Sequence, residues 1–439
     1  MYMKHQDILD DPSFRKYAKK KNISERTMGN YIFSLIQFCN ANNKRLDDIV
    51  QEVIEEQYPF MDQDGRIHEY NPEFSRIDNY LYSTVVYLQN KGNSNHSVYA
   101  HITRIRAVLN ALNIKLPKMV ELEKDPKDWY VLSKDDIKFV ISISPLHHQA
   151  LISFLSCTGL RIGDAMNLTI DSFMKATFPC HNCTEVDAFL EKAPEGMMGY
   201  WQLIPQKTRK HQVQCKVYNT PESSDLLLKS LHRRMESIEK LNEKNGTNLK
   251  LEKGDALFSS RNKSFKGKLN HSTITTLFNR RNQELLKYKK RLLKQELDKG
   301  EISEETFRIK VSQIPIFHAH GLRKFFITTL ARKRVDLRAS AFLEGHRPLM
   351  DHDRSYVDSD DLEEMIYNEY LKVAPSLCFA KDEEDLELGK RNHELKMENA
   401  ELKEYARQLE IEKLNIKKEF KMEAKRLLED LLKEKNIRL

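Results

Sequence analysis

The sequence predicts a mainly α-helical protein that carries one small β-hairpin and is divided into more than one domain. Three observations predict this fold class. The chain has 439 residues, which exceeds the usual size of a single domain. It contains only 14 glycines and 13 prolines while 31% of its residues are charged, a balance that favours long helices over turn-rich sheets. Apolar residues recur at intervals of three and four over long stretches, which is the helical period.

Residues 1–120 predict a bundle of three or four amphipathic helices. Three apolar stripes carry this prediction: Met28, Ile32, Leu35 and Cys39; Ile77, Leu81, Val85 and Leu88; and Val98, Ile102, Ile105 and Leu109. Basic residues cluster near the start of the bundle, at Arg15, Lys16, Lys19, Lys20 and Lys21. A solvated helix face and contact with phosphates explain such a cluster equally well.

Residues 121–131 are polar and interrupted by Pro126, which predicts a linker. A second domain, residues 132–380, then opens with Ser133 as the N-cap of a helix. Helices are expected to continue to Phe173. The segment from Ala176 to Gly199 is interpreted as an insertion.

A β-hairpin is predicted after this insertion. The runs Tyr200–Ile204 and Val213–Tyr218 have the composition of strands, and they flank a turn over Lys207–Lys210. A long basic helix from Asn270 to Lys299 and a further helical block through Lys372 follow.

Residues 381–439 predict a coiled coil, because Leu388, Leu395, Leu402, Leu409 and Ile416 recur every seven residues. Two asparagines four residues after such leucines occupy core positions, a choice that fixes the register of a parallel dimer at a cost in stability. The alternative is a single solvated helix folded back on the body.

Composition excludes several classes of protein. No apolar run reaches the roughly 20 residues that span a bilayer, and the N-terminus lacks the apolar core of a signal peptide, so an intracellular protein without a membrane partner is expected. Six scattered cysteines are too few for a disulfide scaffold, and reduced thiols are expected. The formal net charge of +7 permits a polyanionic partner without identifying one.

Cys180 and Cys183 form a Cys-x-x-Cys pair that supplies half of a zinc site. His181, His211 and Cys215 are the residues that could complete it. Two ligands alone do not predict a metal, and neither a metal nor another cofactor is expected.

Four separated segments carry the chemistry of this sequence. Thr158-Gly159-Leu160-Arg161 places an arginine after a glycine turn, and Lys207 lies in the predicted hairpin turn. His320 and Arg323 stand three residues apart on one predicted helix. His346 follows Leu343-Glu344-Gly345, and Tyr356 comes ten residues later.

Taken in order, Arg161, Lys207, His320, Arg323, His346 and Tyr356 resemble the active-site series of the tyrosine recombinases, the phage-integrase family. The phrases Thr-Gly-Leu-Arg and His-x-Leu-Arg are specific to that family. The segment after Tyr356 looks most like the archaeal branch and its viral relatives. The sequence departs from the pattern where the usual Leu-Gly-His reads Leu-Glu-Gly-His, and its tyrosine arrives one residue late.

The resemblance implies a site-specific recombinase or integrase of a mobile element, which cleaves and rejoins double-stranded DNA through a 3′-phosphotyrosyl intermediate. It implies a helical core-binding domain in residues 1–120 and a catalytic domain in residues 132–380, closed on DNA as a clamp. It also implies a dimer or tetramer on DNA, associated with the nucleoid. Tyr356 is the implied nucleophile, and Lys207 the implied general acid.

The two guanidiniums suit the chemistry, since forked donors that are always charged match the oxygens of a phosphate in its transition state. Lys210 stands on the same turn as Lys207 and is the alternative acid. Tyr367 and Tyr370 lie in an apolar helical pattern that packing explains better. Asp164 is expected to brace the helix after Arg161.

Two other functions fit the same residues. A type IB topoisomerase uses a tyrosine with arginine, lysine and histidine to relax DNA without exchanging sites. A DNA-binding remnant would keep the basic helices and the coiled coil after the tyrosine had lost its role.

Neither ATP nor a metal is needed for religation, because the phosphotyrosine linkage conserves the energy of the broken bond.

Overall fold

A computed structural model describes residues 3–21, 25–61, 67–123, 130–259, 266–346 and 359–379, and the single residues Leu409, Glu412, Lys413 and Lys417. The chain divides into two compact units, Met1–Asp128 and Trp129–Leu439, each with its own buried core. Helices dominate both units, and an antiparallel hairpin of two five-residue strands lies in the second. The predicted fold class is therefore confirmed. The predicted coiled coil over 381–439 and the proposed nucleophile Tyr356 lie outside the described residues, apart from the four single residues in the tail.

The first unit contains more helices than the sequence predicted. Its described helices are α1 (His5–Leu9), α2 (Pro12–Lys20), α3 (Glu25–Asn42), α4 (Leu46–Glu56), α5 (Arg76–Asn90) and α6 (Asn95–Ala111). A short antiparallel ribbon lies between α4 and α5 in the chain, and its strands β1 (Phe60–Met61) and β2 (Ile67–His68) have two residues each. The ribbon was not predicted, because its strands are too short to show a period of two.

The three predicted apolar stripes build the core of this unit. Eleven of their twelve residues are buried, and Met28 packs against the same cluster. Asp11 fixes two helices at once: its carboxylate accepts hydrogen bonds from the backbone N–H of Ser13 at the start of α2 and of Asp47 at the start of α4. A buried carboxylate at an N-cap accepts hydrogen bonds from backbone N–H groups that have no partner within the helix. Its negative charge also interacts favourably with the positive end of each helix dipole.

The second unit is a helical body around the hairpin. Its elements are α7 (Lys134–Ser142), α8 (Leu146–Thr158), α9 (Ile162–Ala165), α10 (Ile170–His181), α11 (Val186–Lys192), β3 (Gly199–Leu203), β4 (Cys215–Asn219), α12 (Pro221–Asn245), α13 (His271–Asp298), α14 (Glu304–Ser312), α15 (Ala319–Arg332), α16 (Leu337–Glu344) and α17 (Ser359–Val373). Short 3₁₀ segments occur at Gln206–His211 and Ala374–Leu377 of this unit, and at Pro72–Phe74 of the first unit.

Helix α8 is the centre of the second unit. Every residue from Ala150 to Thr158 is buried, and the helix contacts α7, α12, α15 and β4. The predicted N-cap of α7 is confirmed, because Ser133 and Asp136 form a reciprocal capping box. The predicted basic helix is also confirmed as α13, whose N-cap Asn270 accepts a hydrogen bond of 2.7 Å from the backbone N–H of Thr273.

The segment from Ala176 to Gly199, interpreted from the sequence as an insertion, is mostly helical and packs into the core of the second unit. Helix α10 continues to His181 and α11 follows, with Phe189 and Leu190 buried in the common core. The rings of Phe173 and Phe189 meet edge to face at 5.5 Å. Packing keeps α10 helical in spite of Pro179 in its last turn.

The hairpin pairs Gly199 with Asn219 and Leu203 with Cys215. Its strands start and end within about two residues of the predicted runs, but the connection is longer than the predicted four-residue turn and includes the 3₁₀ segment Gln206–His211. All six cysteines are free thiols, and five of them are buried. Among the described residues, no helix is long and apolar enough to cross a membrane.

Candidate active site

The turn between α8 and α9 sets the position of Arg161. Helix α8 ends at Gly159, whose φ of 61° lies in the left-handed region that favours glycine. A Cβ at this position would lie 2.2 Å from Cδ1 of Phe326 on α15, so a side chain is also excluded by space. The chain then turns through buried Leu160, and Arg161 becomes the N-cap of α9. The predicted glycine turn is confirmed.

Arg323 is the buried centre of the site. It lies on α15 and is 5% exposed. Its Nη1 donates to the backbone oxygen of Gly159 at 2.6 Å, and its Nη2 donates to the backbone oxygen of Glu344 at 2.7 Å. One guanidinium therefore ties the Gly159 turn, α15 and the end of α16 together.

His346 joins this centre from the end of α16. Its Nε2 lies 3.1 Å from Nη2 of Arg323, and its Nδ1 lies 2.9 Å from Oε2 of Glu344. Gly345 makes the approach possible: its φ is 59°, and a Cβ there would meet Cβ of Cys215 at 3.0 Å and Cγ of Pro205 at 3.1 Å. The glycine thus lets the histidine segment pack directly on the hairpin.

His320 lies in the first turn of α15 and is exposed. Partial desolvation of its ring lowers the pKa of His320, and His318 and the positive charges of Arg323, Lys324 and Arg161 act in the same direction. The pKa of His346 is lowered by burial as well, and Glu344 opposes that shift. The pKa values of the two site histidines, His320 and His346, are thus both shifted below the ordinary 6.5, which favours their neutral forms.

The site concentrates positive charge. Burial lowers the pKa of Arg323, and the nearby charge of Arg161 lowers it further, whereas Glu344 and Asp164 act in the opposite direction. Arg161 is half-buried, and its guanidinium forms no hydrogen bond or ion pair within the part of the chain that the structure describes. Two like charges at close range favour an anion between them.

Asp164 ties the hairpin connection to the Arg161 turn. Its Oδ1 accepts a hydrogen bond of 2.8 Å from the backbone N–H of Gln206, the residue before Lys207. Asp164 was expected to brace the helix after Arg161, and it instead bridges to a segment 42 positions further along the chain. Lys207 and Lys210 both lie on the 3₁₀ segment with exposed side chains, so both remain candidates for the general acid.

Two of the three tyrosines considered from the sequence as nucleophiles, Tyr367 and Tyr370, have packing roles. Tyr370 is fully buried, donates a hydrogen bond of 3.1 Å to the backbone oxygen of Cys157, and has a pKa raised well above 10 by burial. The ring of Tyr367 meets that of Tyr218 edge to face at 5.3 Å. Tyr356, the residue proposed from the sequence, lies outside the described residues.

Helix α17, which begins three residues after Tyr356, is fixed to the hairpin by a carboxylate. Glu363 accepts hydrogen bonds from the hydroxyl of Tyr200 at 2.9 Å and from Nζ of Lys216 at 2.7 Å. Lys216 is 6% exposed, and its ion pair with Glu363 compensates the cost of burying its charge. The hairpin therefore contacts Asp164, Gly345 and α17 at three separate points.

The Cys180–Cys183 pair does not join this site. His181, between the two cysteines, uses Nδ1 to accept from the backbone N–H of Cys183 and places Nε2 against the backbone oxygen of Met174. Cys215 packs on Leu343 instead. No group of three or more potential metal ligands occurs in the ranges described above.

Sequence reasoning missed two residues of this site. Glu344 was noted only as a departure in the spacing before His346, and the partner of Asp164 was not foreseen. The available signal for Glu344 was the acidic residue within Leu343-Glu344-Gly345-His346, whose other residues are apolar, glycine or basic. No signal in the sequence indicates that Asp164 reaches Gln206.

Comparisons with known proteins identify structures that are similar to this chain. No family model and no curated protein match the sequence. XerA recombinase shares 18% identity with a TM-score of 0.29, and the match covers 83% of this chain and 98% of that one. The Tn1549 transposon integrase in complex with a circular intermediate DNA shares 14% identity with a TM-score of 0.41, over 81% and 98% of the two chains.

A lambda integrase dimer bound to a core site shares 14% identity with a TM-score of 0.39, over 82% of this chain and 94% of that chain. Identities and scores this low leave the function to be argued from the geometry of the site.

Proposed function

We propose that this protein is a tyrosine site-specific recombinase that cleaves and rejoins double-stranded DNA through a 3′-phosphotyrosyl intermediate. The observation that carries the proposal is the position of Arg323. A buried guanidinium stands between the Gly159 turn and His346, with the charge of Arg161 close enough to lower its pKa. Separated segments of the chain thus converge on one place that suits a phosphate.

The convergence matches the needs of phosphodiester attack. An in-line nucleophile adds a fifth oxygen to phosphorus, and negative charge grows on the two non-bridging oxygens. Preorganised guanidiniums in a partly dry site stabilise that charge without reorganising, and the loss of one such donor costs roughly 10²–10³ in rate. Arg161 supports this role best, because its guanidinium has no partner within the described residues.

Proton transfer completes the chemistry that we propose. Tyr356 attacks through its phenolic oxygen, which requires loss of a proton from a group with an ordinary pKa of about 10. The neutral His346 and His320 suit the acceptance of protons near neutral pH. Lys207, with Lys210 as the alternative, donates a proton to the departing 5′ oxygen. No metal or other cofactor takes part in this scheme.

The finer parts of the proposal concern assembly and relatives. We propose residues 1–120 as the core-binding domain, 132–380 as the catalytic domain and 121–131 as their linker. A coiled coil over 381–439 would pair protomers on DNA, and a chain that ends at Lys381 tests this: unchanged sedimentation and recombination would exclude it. The resemblance of the tyrosine segment to the archaeal and archaeal-virus branch is part of the same proposal.

Trapping of a covalent adduct tests the reaction. Nicked duplexes that tile the DNA around the chain's own gene are incubated with the full-length protein, and labelled DNA that stays attached to protein in SDS is measured. We expect an adduct with wild type and with Tyr367→Phe, and none with Tyr356→Phe. An adduct that survives Tyr356→Phe but not Tyr367→Phe would relocate the nucleophile.

The same protein variants and DNA duplexes distinguish recombination from the two other functions, topoisomerase activity and DNA binding without catalysis. Relaxation of supercoiled plasmids that lack any site would favour a type IB topoisomerase. DNA binding by wild type without any adduct on any duplex would favour a non-catalytic remnant. Exchange between two DNAs that carry the same site, lost in Arg161→Ala, is the outcome we expect.

A further inference from the structure

The carboxylate of Glu344 is held in a fixed position beside the site. Glu344 is the last residue of α16, and its side chain is 14% exposed. Its Oε1 accepts a hydrogen bond of 2.8 Å from Oγ of Ser340, and its Oε2 lies 2.9 Å from Nδ1 of His346. Its backbone oxygen accepts from Arg323. Both ends of this residue therefore contact groups of the proposed site.

These contacts define which nitrogen of His346 carries the proton. A guanidinium only donates hydrogen bonds, so Nη2 of Arg323 at 3.1 Å requires Nε2 of His346 to act as the acceptor. A neutral imidazole has one N–H, which must then lie on Nδ1. The carboxylate of Glu344 accepts that hydrogen at 2.9 Å.

We propose that Glu344 is a positioning residue that holds His346 in the Nδ1–H tautomer, with Nε2 as its basic nitrogen at the reacting phosphate. The inference rests on the proposed function and deepens it. In cleavage, the bound phosphate accepts the N–H of Arg323 that Nε2 had accepted, and the freed Nε2 receives the phenolic proton of Tyr356. The tyrosine oxygen bonds to phosphorus as the 5′ oxygen leaves with a proton from the hairpin lysine. The carboxylate then balances the imidazolium, and the proton returns to the phenol when the strand is rejoined.

The charges around His346 explain why a carboxylate is needed. Arg323 on α15 and Arg161 at the start of α9 both disfavour a protonated imidazole, as burial does. Glu344 on α16 is the group that opposes them. From the hairpin, Cys215 packs against Gly345, but burial raises the pKa of its thiol to about 12, so it brings no charge. Without Glu344, His346 becomes a weaker base.

Nitrogen-15 NMR of the full chain labelled at histidine tests the tautomer directly and needs no DNA. The resonance of His346 is assigned by its loss in His346→Gln. In wild type we expect the Nδ1–H tautomer. In Glu344→Leu we expect a weaker preference for that tautomer, because only Arg323 then selects it, and a lower pKa. Glu344→Gln keeps an oxygen acceptor and so keeps the wild-type preference while the pKa falls.

Single-turnover formation of the Tyr356 adduct, measured across pH, tests the consequence. We expect Glu344→Leu to slow cleavage about tenfold to a hundredfold, with the acid limb of the profile moved to lower pH, and Glu344→Gln to lose less. Ser340→Ala, which leaves the carboxylate in place, should keep the wild-type limb. A merely structural role would lower the rate at every pH without moving the limb.

Two results overturn the inference. One is a His346 resonance in wild type that shows the Nε2–H tautomer. The other is a tautomer and titration that are the same in wild type and Glu344→Leu. Failure of the proposed function looks different, since wild type would then form no adduct while the NMR titration of His346 still responds to Glu344.

Discussion

A methyl group added at Gly159 tests whether the turn before Arg161 is as constrained as its geometry indicates. The backbone at Gly159 has a φ of 61°, and an added Cβ would lie 2.2 Å from Cδ1 of Phe326 and 2.7 Å from Cγ of the same ring. That ring belongs to a residue that is fully buried. Gly163, four residues later in the same motif, has no heavy atom within 4 Å of its added Cβ and provides the matched control.

The expected magnitude follows from two separate costs. A left-handed backbone costs an L-residue about 1–2 kcal/mol. Overpacking against a ring that cannot move freely costs about 1–3 kcal/mol more. Gly159→Ala should therefore lower the free energy of unfolding of the second unit by about 2–5 kcal/mol. Gly163→Ala, within α9, should raise it by up to about 1 kcal/mol, because alanine favours the helix over glycine.

Urea unfolding followed by tryptophan fluorescence measures these changes. Trp201 lies in the second unit and is 3% exposed, so its emission reports the unfolding of that unit. Phe326→Leu introduced into Gly159→Ala should recover the overpacking share but not the backbone share. Equal stability of Gly159→Ala and Gly163→Ala would refute the reasoning.

Three further predictions concern the supports of the site. Asp164→Ala removes the acceptor of the backbone N–H of Gln206 at the start of the hairpin connection, which should cost about 0.5–1.5 kcal/mol of unfolding free energy and slow adduct formation. The exposed ion pair of Asp171 makes Asp171→Ala a near-neutral control. Glu363→Gln removes the charge that binds α17 to the hairpin, so the adduct yield should fall relative to Glu364→Gln, in single-turnover assays. Because desolvation lowers the pKa of the two site histidines, these two groups bind more protons in the unfolded chain than in the folded one around and below pH 6.5. Their contribution to the unfolding free energy should therefore fall as the pH drops through that value, as measured by urea unfolding of wild type and of the double variant His320→Gln/His346→Gln.

The sequence predicted best what depends on neighbouring residues. Three local features were predicted correctly because one residue type suits one backbone position. Glycine suits the left-handed turn at Gly159, and a short polar side chain suits the N-cap positions Ser133 of α7 and Asn270 of α13. The apolar stripes of the first unit were predicted for the same reason, since a helical period places them on one face.

Features that depend on distant contacts were not predicted. The length of α10 was underestimated, because Phe173 and Phe189 stabilise its last turns by packing that no local pattern records. The bond from Asp164 to Gln206 and the contact of Gly345 with Cys215 join segments that lie far apart in the sequence. Carboxylates at a site of this kind are visible in the sequence, but their partners are set by the tertiary fold.

The two arginines of the site differ in how much each stabilises the fold, and this difference determines how their variants must be interpreted. Arg323 donates to two backbone oxygens in the interior, so Arg323→Ala removes charged hydrogen bonds worth about 1.5–3 kcal/mol each and leaves buried acceptors unsatisfied. Loss of activity in that variant combines misfolding with missing charge. Arg161 forms no hydrogen bond or ion pair with the described residues. Loss of cleavage in Arg161→Ala at unchanged stability would therefore isolate the electrostatic contribution of this guanidinium to the reaction.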